Sequence, residues 1–299
     1  MEILVNREPL DFKLENEASV GEVVDGLAEW LGSGQFAIIS LNVNTNSYAI
    51  HDRSAWADIS VDDVERLAVE ALPLQSVDHA TLVAVDEYCS ILAEALRTQN
   101  VEAIPELAEE LPYVRRRIAQ FVPSLASPDG VAEVLADARL EAGEMPDARS
   151  AGKLADELDS IRSILQIRER EYRQPERELA LTLGQLSAMR EQLIEVPVQL
   201  QTGKERAAMQ TVIGLTEMLG RAVRLVPLVE ASDGAIGIDV QGVRSFAESL
   251  APFLAELKEA FEIQDTVLLG DLLEYEVAPR LERLEELLPG ESSGEAGPQ

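Results

Sequence analysis

The hydrophobic pattern of the chain changes once, near Leu72–Ser76. Before this point, short runs of alternating apolar and polar residues surround one stretch with helical spacing. After it, apolar residues recur every three or four positions for roughly two hundred residues, which is the period of an α-helix. The pattern therefore predicts an α+β chain in which a small N-terminal domain with strands precedes a long helical region.

Residues 1–73 predict strands arranged around one helix. Asn6–Pro9 contains turn formers, so the apolar runs on either side of it are predicted to form a β-hairpin. Ser19 followed by Glu22 is a capping box, which marks the start of a helix. The predicted elements, in chain order, are strands at Glu2–Val5 and Leu10–Leu14, a helix with Val20, Val23, Val24, Leu27 and Leu31 on its apolar face, a buried strand at Phe36–Val43, a polar loop, a short turn at Val61–Val64 and a last strand through Leu67 and Val69.

An opening hairpin followed directly by a capped helix resembles the β-grasp, or ubiquitin-like, fold. The resemblance covers residues 1–73, about a quarter of the chain. Ubiquitin-like sulfur carriers and conjugated modifiers end in Gly-Gly, whereas here the last strand continues through Ala71–Leu74 into another region. The resemblance therefore implies a docking or scaffolding module and not a protein that is covalently transferred.

Residues 77–289 predict an elongated bundle of antiparallel helical hairpins. A weak internal repeat suggests three such hairpins. Leu96–Leu125 and Leu200–Val229 align without gaps, and the turn at Ile263–Asp265 matches the turn at Thr98–Asn100. Because a repeated turn between two helical stretches is typical of stacked helical hairpins, we expect each of these turns to reverse the chain.

A long helical segment runs from Ser150 to about Val196, and its leucines keep a near-heptad spacing between Leu154 and Leu193. Pro175 interrupts it and should kink the helix or begin a second one, because proline lacks the backbone N–H that a helix interior needs. Two interpretations stay open. The leucines either pack inside the chain's own bundle or form a coiled-coil dimer.

Side chains that accept backbone N–H bonds mark four further helix starts. These are Ser127, Thr202 in a Thr-x-x-Glu capping box, Asp239 and Asp265. The helix after Asp239 carries one apolar stripe from Val240 to Phe261, which predicts a buried face. Residues 290–299 are mainly Gly, Ser and Glu and predict a disordered tail.

The composition is strongly acidic, with 55 acidic residues against 25 basic ones and a formal net charge of -30. Such a surface repels a phosphate backbone, so nucleic acid is not an expected partner. A basic protein partner is compatible with the same field. The other interpretation, that the acidity serves only solubility, stays open.

The residues that usually carry enzyme chemistry are scarce. Cys89 is the only cysteine and lies in an apolar helical stripe, so we expect a buried structural thiol. The only histidines, His51 and His79, lack the spacing to carboxylates that a metal site or a catalytic triad requires. The sequence predicts no catalytic residue, no metal site and no cofactor.

The chain contains no run near the roughly 18 apolar residues that a membrane-spanning helix needs. Met1–Val5 shows neither a charged segment nor a cleavage site of a secretory signal. We therefore expect no membrane insertion and a cytoplasmic location.

Two short segments are candidates for partner binding. Asp271, Glu274 and Tyr275 fall close together on one helix surface, between the apolar residues Leu268 and Leu281, and predict an acidic and aromatic docking face. The second candidate is the only basic run of the chain, which comprises Arg115, Arg116 and Arg117. This run either docks a partner, neutralises neighbouring acidic helices such as Glu106–Glu110, or neutralises the C-terminal dipole of its own helix.

These patterns favour a non-enzymatic adaptor or chaperone-like protein whose acidic helical body binds a partner protein. Two alternatives belong to other classes. One is an enzyme with carboxylates or arginines in a cleft between the two domains. The other is a structural protein that forms a homo-oligomer through the helix around Leu154–Leu193.

Overall fold

The computed structural model describes residues 1–11, 17–122, 135, 137–232, 238–263 and 265–287. The helix start at Ser127, most of the strand Leu10–Leu14 and the tail 290–299 lie outside the described residues. The chain divides into two compact units, Met1–Glu169 and Arg170–Gln299. This division falls inside the predicted helical body 77–289, and the boundary after residue 73 stays a prediction.

The first unit combines a sheet with helices. Its strands are β1 (Glu2–Val5), β2 (Glu8–Pro9), β3 (Phe36–Val43), β4 (Asn46–Tyr48) and β5 (Arg66–Pro73). Its helices are α1 (Val20–Ser33), α2 (Leu74–Arg97), α3 (Ile104–Phe121), α4 (Ala138–Glu141) and α5 (Ala148–Arg173), the last of which extends into the second unit. Short 3₁₀ turns occupy Arg53–Ala55 and Val61–Asp63.

The five strands form one mixed sheet in the order β2-β1-β5-β3-β4. β1 and β5 pair in parallel, with Ile3 opposite Leu67, and the other neighbours pair antiparallel. α1 packs on the sheet with the apolar face that the sequence predicts. The core between them contains Ile3, Val20, Val23, Val24, Leu27, Leu41, Val43, Trp56, Val64, Leu67 and Val69. The N-terminal 73 residues thus carry a small mixed-sheet domain that is compatible with a β-grasp-like fold.

The second strand differs from the prediction. The chain reverses at Asn6 and Arg7, whose φ angles of 52° and 69° form a tight two-residue turn, so β2 is already at Glu8–Pro9. Pro9 can be accommodated there because β2 is an edge strand, where a missing N–H costs no ladder bond. β2 therefore precedes the predicted strand Leu10–Leu14, of which residues 12–14 lie outside the described residues.

The polar loop predicted after β3 contains structure of its own. β4 pairs with β3 across a turn at Asn44, which has a φ of 56°. Further along this segment Trp56 enters the core at 2% exposure, and its indole Nε1 donates to the Ala49 carbonyl at 3.2 Å. The buried indole fixes the loop against α1.

The helices of the first unit pack around α2. The Tyr88 hydroxyl donates to the Leu107 carbonyl at 2.5 Å, which joins α2 to α3. Asp86 accepts from Arg162 Nε at 3.2 Å, and Arg97 pairs with Asp159, so α5 runs antiparallel to α2. The leucines predicted for a coiled-coil seam are buried in the chain's own fold. They are Leu154, Leu158 and Leu165 in the first unit and Leu179, Leu183, Leu186 and Leu193 in the second.

The second unit is a four-helix bundle. Its elements are α6 (Pro175–Ala188), α7 (Arg190–Gln201), α8 (Glu205–Glu230), α9 (Val240–Glu262), α10 (Thr266–Asp271), a π-helical segment (Leu272–Val277), α11 (Ala278–Leu281) and a 3₁₀ segment (Glu282–Leu287). α6 begins at Pro175, as predicted, and α7 continues it as the first bundle helix. The elements from Thr266 to Leu287 together form the fourth bundle helix.

The bundle helices alternate in direction. α8 returns along α6 and α7, and α9 returns along α8. The fourth bundle helix packs its start on α7 and its end on α6, and it also contacts α9. This is the up-down-up-down arrangement of a four-helix bundle, in which each helix runs antiparallel to the helix that precedes it in the chain. The described helices of the second unit thus pack as antiparallel hairpins, and the single bundle over residues 77–289 stays a prediction.

Three charged side chains, Arg221, Glu171 and Glu178, form a buried cluster in the second unit. Arg221 of α8 donates from Nε to Glu171 Oε1 at 2.8 Å, and it also pairs with Glu178 of α6. Both carboxylates are buried, at 3% and 8% exposure. Because α5 ends at Arg173, the cluster joins the last turn of α5 to two bundle helices.

Three helix ends share one turn geometry. The N–H groups of Asn100, Lys204 and Asp265 each donate to the carbonyl five residues earlier, at 2.8 to 2.9 Å. This is the bond that closes a Schellman motif, and it requires a left-handed residue just before the donor. Gln99 and Gly203 occupy that position with φ angles of 53° and 74°. The sequence similarity of the turns therefore reflects a common way of ending a helix.

The capping box predicted at Thr202 is wrong. Thr202 follows α7, where its hydroxyl donates to the Val198 carbonyl at 2.7 Å, and α8 begins only at Glu205. The Thr-x-x-Glu pattern was misread because Gly203, a helix terminator, lies inside it. The caps predicted at Ser19, Asp239 and Asp265 are confirmed, since each side chain accepts from a backbone N–H of its helix.

Gly203→Ala should lower the free energy of unfolding of the second unit by about 1 kcal/mol, because an L-residue is strained at a left-handed φ. An added Cβ meets no atom within 4 Å at Gly203 or at Gly184, so crowding plays no part at either position. Gly184 lies inside α6, where Ala should raise stability by up to about 1 kcal/mol. Denaturant unfolding measures the free energy of unfolding of Gly203→Ala and of Gly184→Ala. If both substitutions changed it in the same direction, the left-handed turn at Gly203 would be contradicted.

Candidate functional site

An exposed face of the fourth bundle helix combines apolar, aromatic and acidic side chains. It is formed by Val267, Leu268, Asp271, Glu274 and Tyr275, and we refer to it as the Tyr275 face. Val267 is 70% exposed and Tyr275 is 64% exposed. The three predicted residues Asp271, Glu274 and Tyr275 therefore do lie on one surface.

Tyr275 lies in the π-helical segment, and its buried neighbours explain why it points outward. Leu272 and Leu273 before it and Val277 after it are all buried in the bundle core. These residues fasten the segment on both sides, so the residue midway between them is left on the solvent side. Leu281 was predicted to border this face. That prediction is wrong, because Leu281 is fully buried.

Electrostatics holds the Tyr275 hydroxyl in its protonated form. A hydrogen bond with Glu274 raises the pKa of Tyr275, and the negative charges of Glu274 and Asp271 raise it further. Arg280, the nearest arginine along this helix, is engaged elsewhere. It pairs with Glu276 at 2.8 Å and stacks 4.0 Å from the Phe253 ring centroid. The face therefore presents a neutral aromatic ring beside carboxylates.

Two more apolar side chains are exposed where α9 meets the fourth bundle helix. Phe261 is 44% exposed and Ile263 is 63% exposed. The sequence placed Phe261 on the buried stripe of α9, and this is wrong because α9 ends one residue later, beyond the cover of the neighbouring helices. The sequence contained a signal for these exposed apolar side chains, since Phe261, Ile263 and Val267 fall within seven positions around the helix cap Asp265.

The basic run Arg115–Arg117 belongs to the first unit and is treated as a separate surface. Arg115 pairs with Glu141 of α4 at 2.5 Å and also donates to the Leu135 carbonyl. Its partner is therefore α4 and not the predicted segment Glu106–Glu110.

The other two arginines are more accessible. The guanidinium of Arg117 lies 5.1 Å from the ring centroid of Tyr113 and donates to Gln120 at 2.8 Å. Arg116 is exposed. Arg115 thus has a structural task, and only Arg116 and Arg117 remain accessible to a partner.

Cys89 is fully buried, and burial raises the pKa of its thiol to about 12, with a contribution from the charge of Asp86. The predicted burial is confirmed. His51 is exposed, and His79 lies 3.9 Å from Glu169. Within the described ranges, no group of three or more His, Cys, Asp or Glu side chains is placed to hold a metal ion.

None of the helices in the described part of the chain is long and apolar enough to span a membrane.

Two segments of the chain match family models. Residues 1–73 match the TP0873 N-terminal domain, and residues 179–287 match a domain of unknown function, DUF8042. The first match covers the mixed sheet with α1. The second covers nearly the whole four-helix bundle and includes the Tyr275 face. No curated protein and no solved structure matches the chain.

Proposed function

We propose that this protein is a non-enzymatic adaptor or chaperone-like protein that binds a basic partner protein through the Tyr275 face. The observation that carries the proposal is the exposure of Tyr275, at 64%, beside Asp271 and Glu274. Tyrosine is enriched among the residues that contribute most to protein interfaces, because its large ring is buried at low entropic cost. Val267 and Leu268 supply the apolar surroundings that exclude water from such an anchor.

The charge of the chain favours a basic partner. At a formal net charge of -30 the long-range field attracts cationic surfaces and speeds their encounter. Exposed charges are screened beyond about 8 Å at physiological salt, so they steer association more than they hold the complex. Apolar and aromatic contacts then determine how long the complex lasts.

The N-terminal domain has a supporting role in this proposal. Its strand order, with a parallel pair of the first and last strands and one helix on the sheet, supports the β-grasp resemblance. We propose that residues 1–73 form a separable docking or scaffolding module and that the protein works in the cytoplasm.

No observation favours a second function. The leucines between Leu154 and Leu193 that a self-associating coiled coil needs on its surface are buried in the chain's own units. The enzyme alternative would need a cleft in which titratable groups converge. Two shifted carboxylates, Asp25 and Asp159, owe their lowered pKa values to surface hydrogen bonds with Arg53 and Arg97, whereas burial raises the pKa of Asp78.

Tyr275→Ala should release the partner about 30-fold faster, since a buried aromatic anchor contributes about 2 kcal/mol or more. The partner is identified as the protein that wild type retains from native extract and Tyr275→Ala loses. Association and dissociation rates are then measured with the purified partner at two salt concentrations. Higher salt should mainly slow association.

Tyr113→Ala is the matched control, because Tyr113 is also an exposed tyrosine but lies in the first unit. It should leave both rates unchanged. An unchanged dissociation rate for Tyr275→Ala would remove the anchor role of this residue. An association rate indifferent to salt would leave the acidity as a matter of solubility alone.

A further inference from the structure

A groove of about 410 Å³ opens at the end of the bundle where α7 meets α8 and α9 meets α10. Its walls come from four helices and combine two kinds of side chain. The apolar ones are Leu200, Met209, Phe261 and Leu269, and the acidic ones are Glu205 and Asp265. The groove lies wholly within the second unit and shares no residue with the Tyr275 face.

The apolar part of the groove suits a flexible, unbranched chain. Phe261 offers a ring that is 44% exposed. Met209 opposite is an adaptable side chain that can follow the shape of what binds. A volume of this size exceeds that of one long side chain and is small for a folded segment of a partner, so a single side chain would share the groove with water.

The rim of the groove is negative. Glu205 makes no hydrogen bond or ion pair within the described part of the chain, so its carboxylate is available. Asp265 uses Oδ1 to cap α10, accepting from Val267 N at 3.1 Å and from Leu268 N at 3.0 Å.

The helix ends contribute opposing partial charges, because the carbonyl ends of α7 and α9 and the N-terminal ends of α8 and α10 all meet at the groove. The two lysines nearest in sequence do not line the groove. Lys258 is exposed and pairs with Glu262 at 3.8 Å, and Lys204 is the exposed residue before α8.

We infer that this groove binds a lysine side chain of the partner protein. The methylene stem packs between Leu200, Met209 and Phe261, and the ammonium group meets the carboxylate of Glu205 at the rim. We choose lysine over arginine because its four-carbon stem is longer and more flexible, so it covers more of the apolar wall before its charge reaches the rim.

The inference rests on the proposed function only in assigning the lysine to a partner protein. Its test uses a small probe and needs no partner. Nα-acetyl-lysine methylamide is titrated into the full chain carrying ¹³C-methyl methionine, and the Met209 methyl signal is followed by NMR. We expect a saturable shift at millimolar probe, on the order of what one charge-assisted contact with partial burial provides. Met189 and Met218, which pack against the bundle core, serve as internal references.

Three comparisons decide the result. Nα-acetyl-norleucine methylamide keeps most of the stem but lacks the charge, and it should bind several-fold more weakly. Glu205→Gln should weaken lysine binding about threefold to fivefold, as expected for one exposed ion pair. Glu217→Gln, an exposed change on the same helix α8, should leave it unchanged.

An unshifted Met209 signal, equal binding of the two probes, or a Glu205→Gln protein that binds like wild type would each overturn the lysine site. Tyr275→Ala should titrate like wild type. Saturable lysine binding together with an unchanged partner dissociation rate for Tyr275→Ala would overturn the proposed anchor while leaving the groove assignment in place.

Discussion

Arg221→Met should lower the free energy of unfolding of the second unit by about 3 to 5 kcal/mol. Arg221 holds the buried carboxylates of Glu171 and Glu178, and methionine keeps its length while removing its charge and its donors. The two carboxylates then face a low-dielectric interior without the guanidinium between them. The cost of leaving a buried charge without its partner far exceeds the net contribution of an exposed pair.

Arg244→Met is the matched control for this change. Arg244 pairs with Glu230 at 2.7 Å, but both side chains are more than two-fifths exposed. Its loss should cost less than about 1 kcal/mol. Denaturant unfolding measures both variants.

A triple variant, Arg221→Met with Glu171→Gln and Glu178→Gln, should recover most of the lost stability, because it removes the buried charges as well. If Arg221→Met cost as little as Arg244→Met, the buried cluster would have no special importance for the bundle.

Trp56→Ala should lower the stability of the N-terminal domain by about 3 to 5 kcal/mol. The indole is buried in the core with residues of α1 and the sheet, so its removal leaves a cavity. It also leaves the Ala49 carbonyl without its hydrogen-bond donor. A domain of about 73 residues has a small free energy of unfolding. We therefore expect the variant to unfold and to lose the dispersed amide signals of a folded domain.

The other tryptophan supplies the control. Trp30 is 53% exposed, and Trp30→Ala should change stability by less than about 0.5 kcal/mol. In that variant Trp56 is the only tryptophan of the chain, so its fluorescence should be blue-shifted in the native protein and move to longer wavelength on unfolding. Red-shifted native emission would contradict the burial of Trp56.

Secondary-structure elements were predicted most accurately where a capping residue or the hydrophobic period clearly marks the element. Ser19 starts α1, and Phe36–Val43 forms β3 with the predicted bounds. It failed at β2 and β4, because strands of two and three residues are too short for alternation to appear. Both depend on tight turns at Asn6 and Asn44, whose left-handed φ angles no periodicity reveals.

The candidate site was predictable in part. Proximity of Asp271, Glu274 and Tyr275 follows from helical spacing, whereas the π-helical segment that contains Tyr275 could not be predicted. Apolar residues four apart, such as Leu269, Leu273 and Val277, fit that segment and a drifting α-helical stripe equally well.

The buried ion cluster was beyond prediction for a different reason. With 55 carboxylates in the chain, nothing in sequence distinguishes Glu171 and Glu178 from residues in water. Burial of a charge is decided by which helices meet, and that is a property of tertiary packing.

The position of β5 determines when the N-terminal sheet can exist during synthesis. β5 is the last strand to be made, yet it stands in the middle, between β1 and β3. Until Arg66–Pro73 is available, the strands form two separate hairpins, β1 with β2 and β3 with β4, that share no ladder in the described sheet. An isolated two-stranded hairpin is marginal in water. The sheet therefore forms in one late step, when the ribosome has released β5, and its most distant contact in sequence, β1 with β5, is also the contact that completes it.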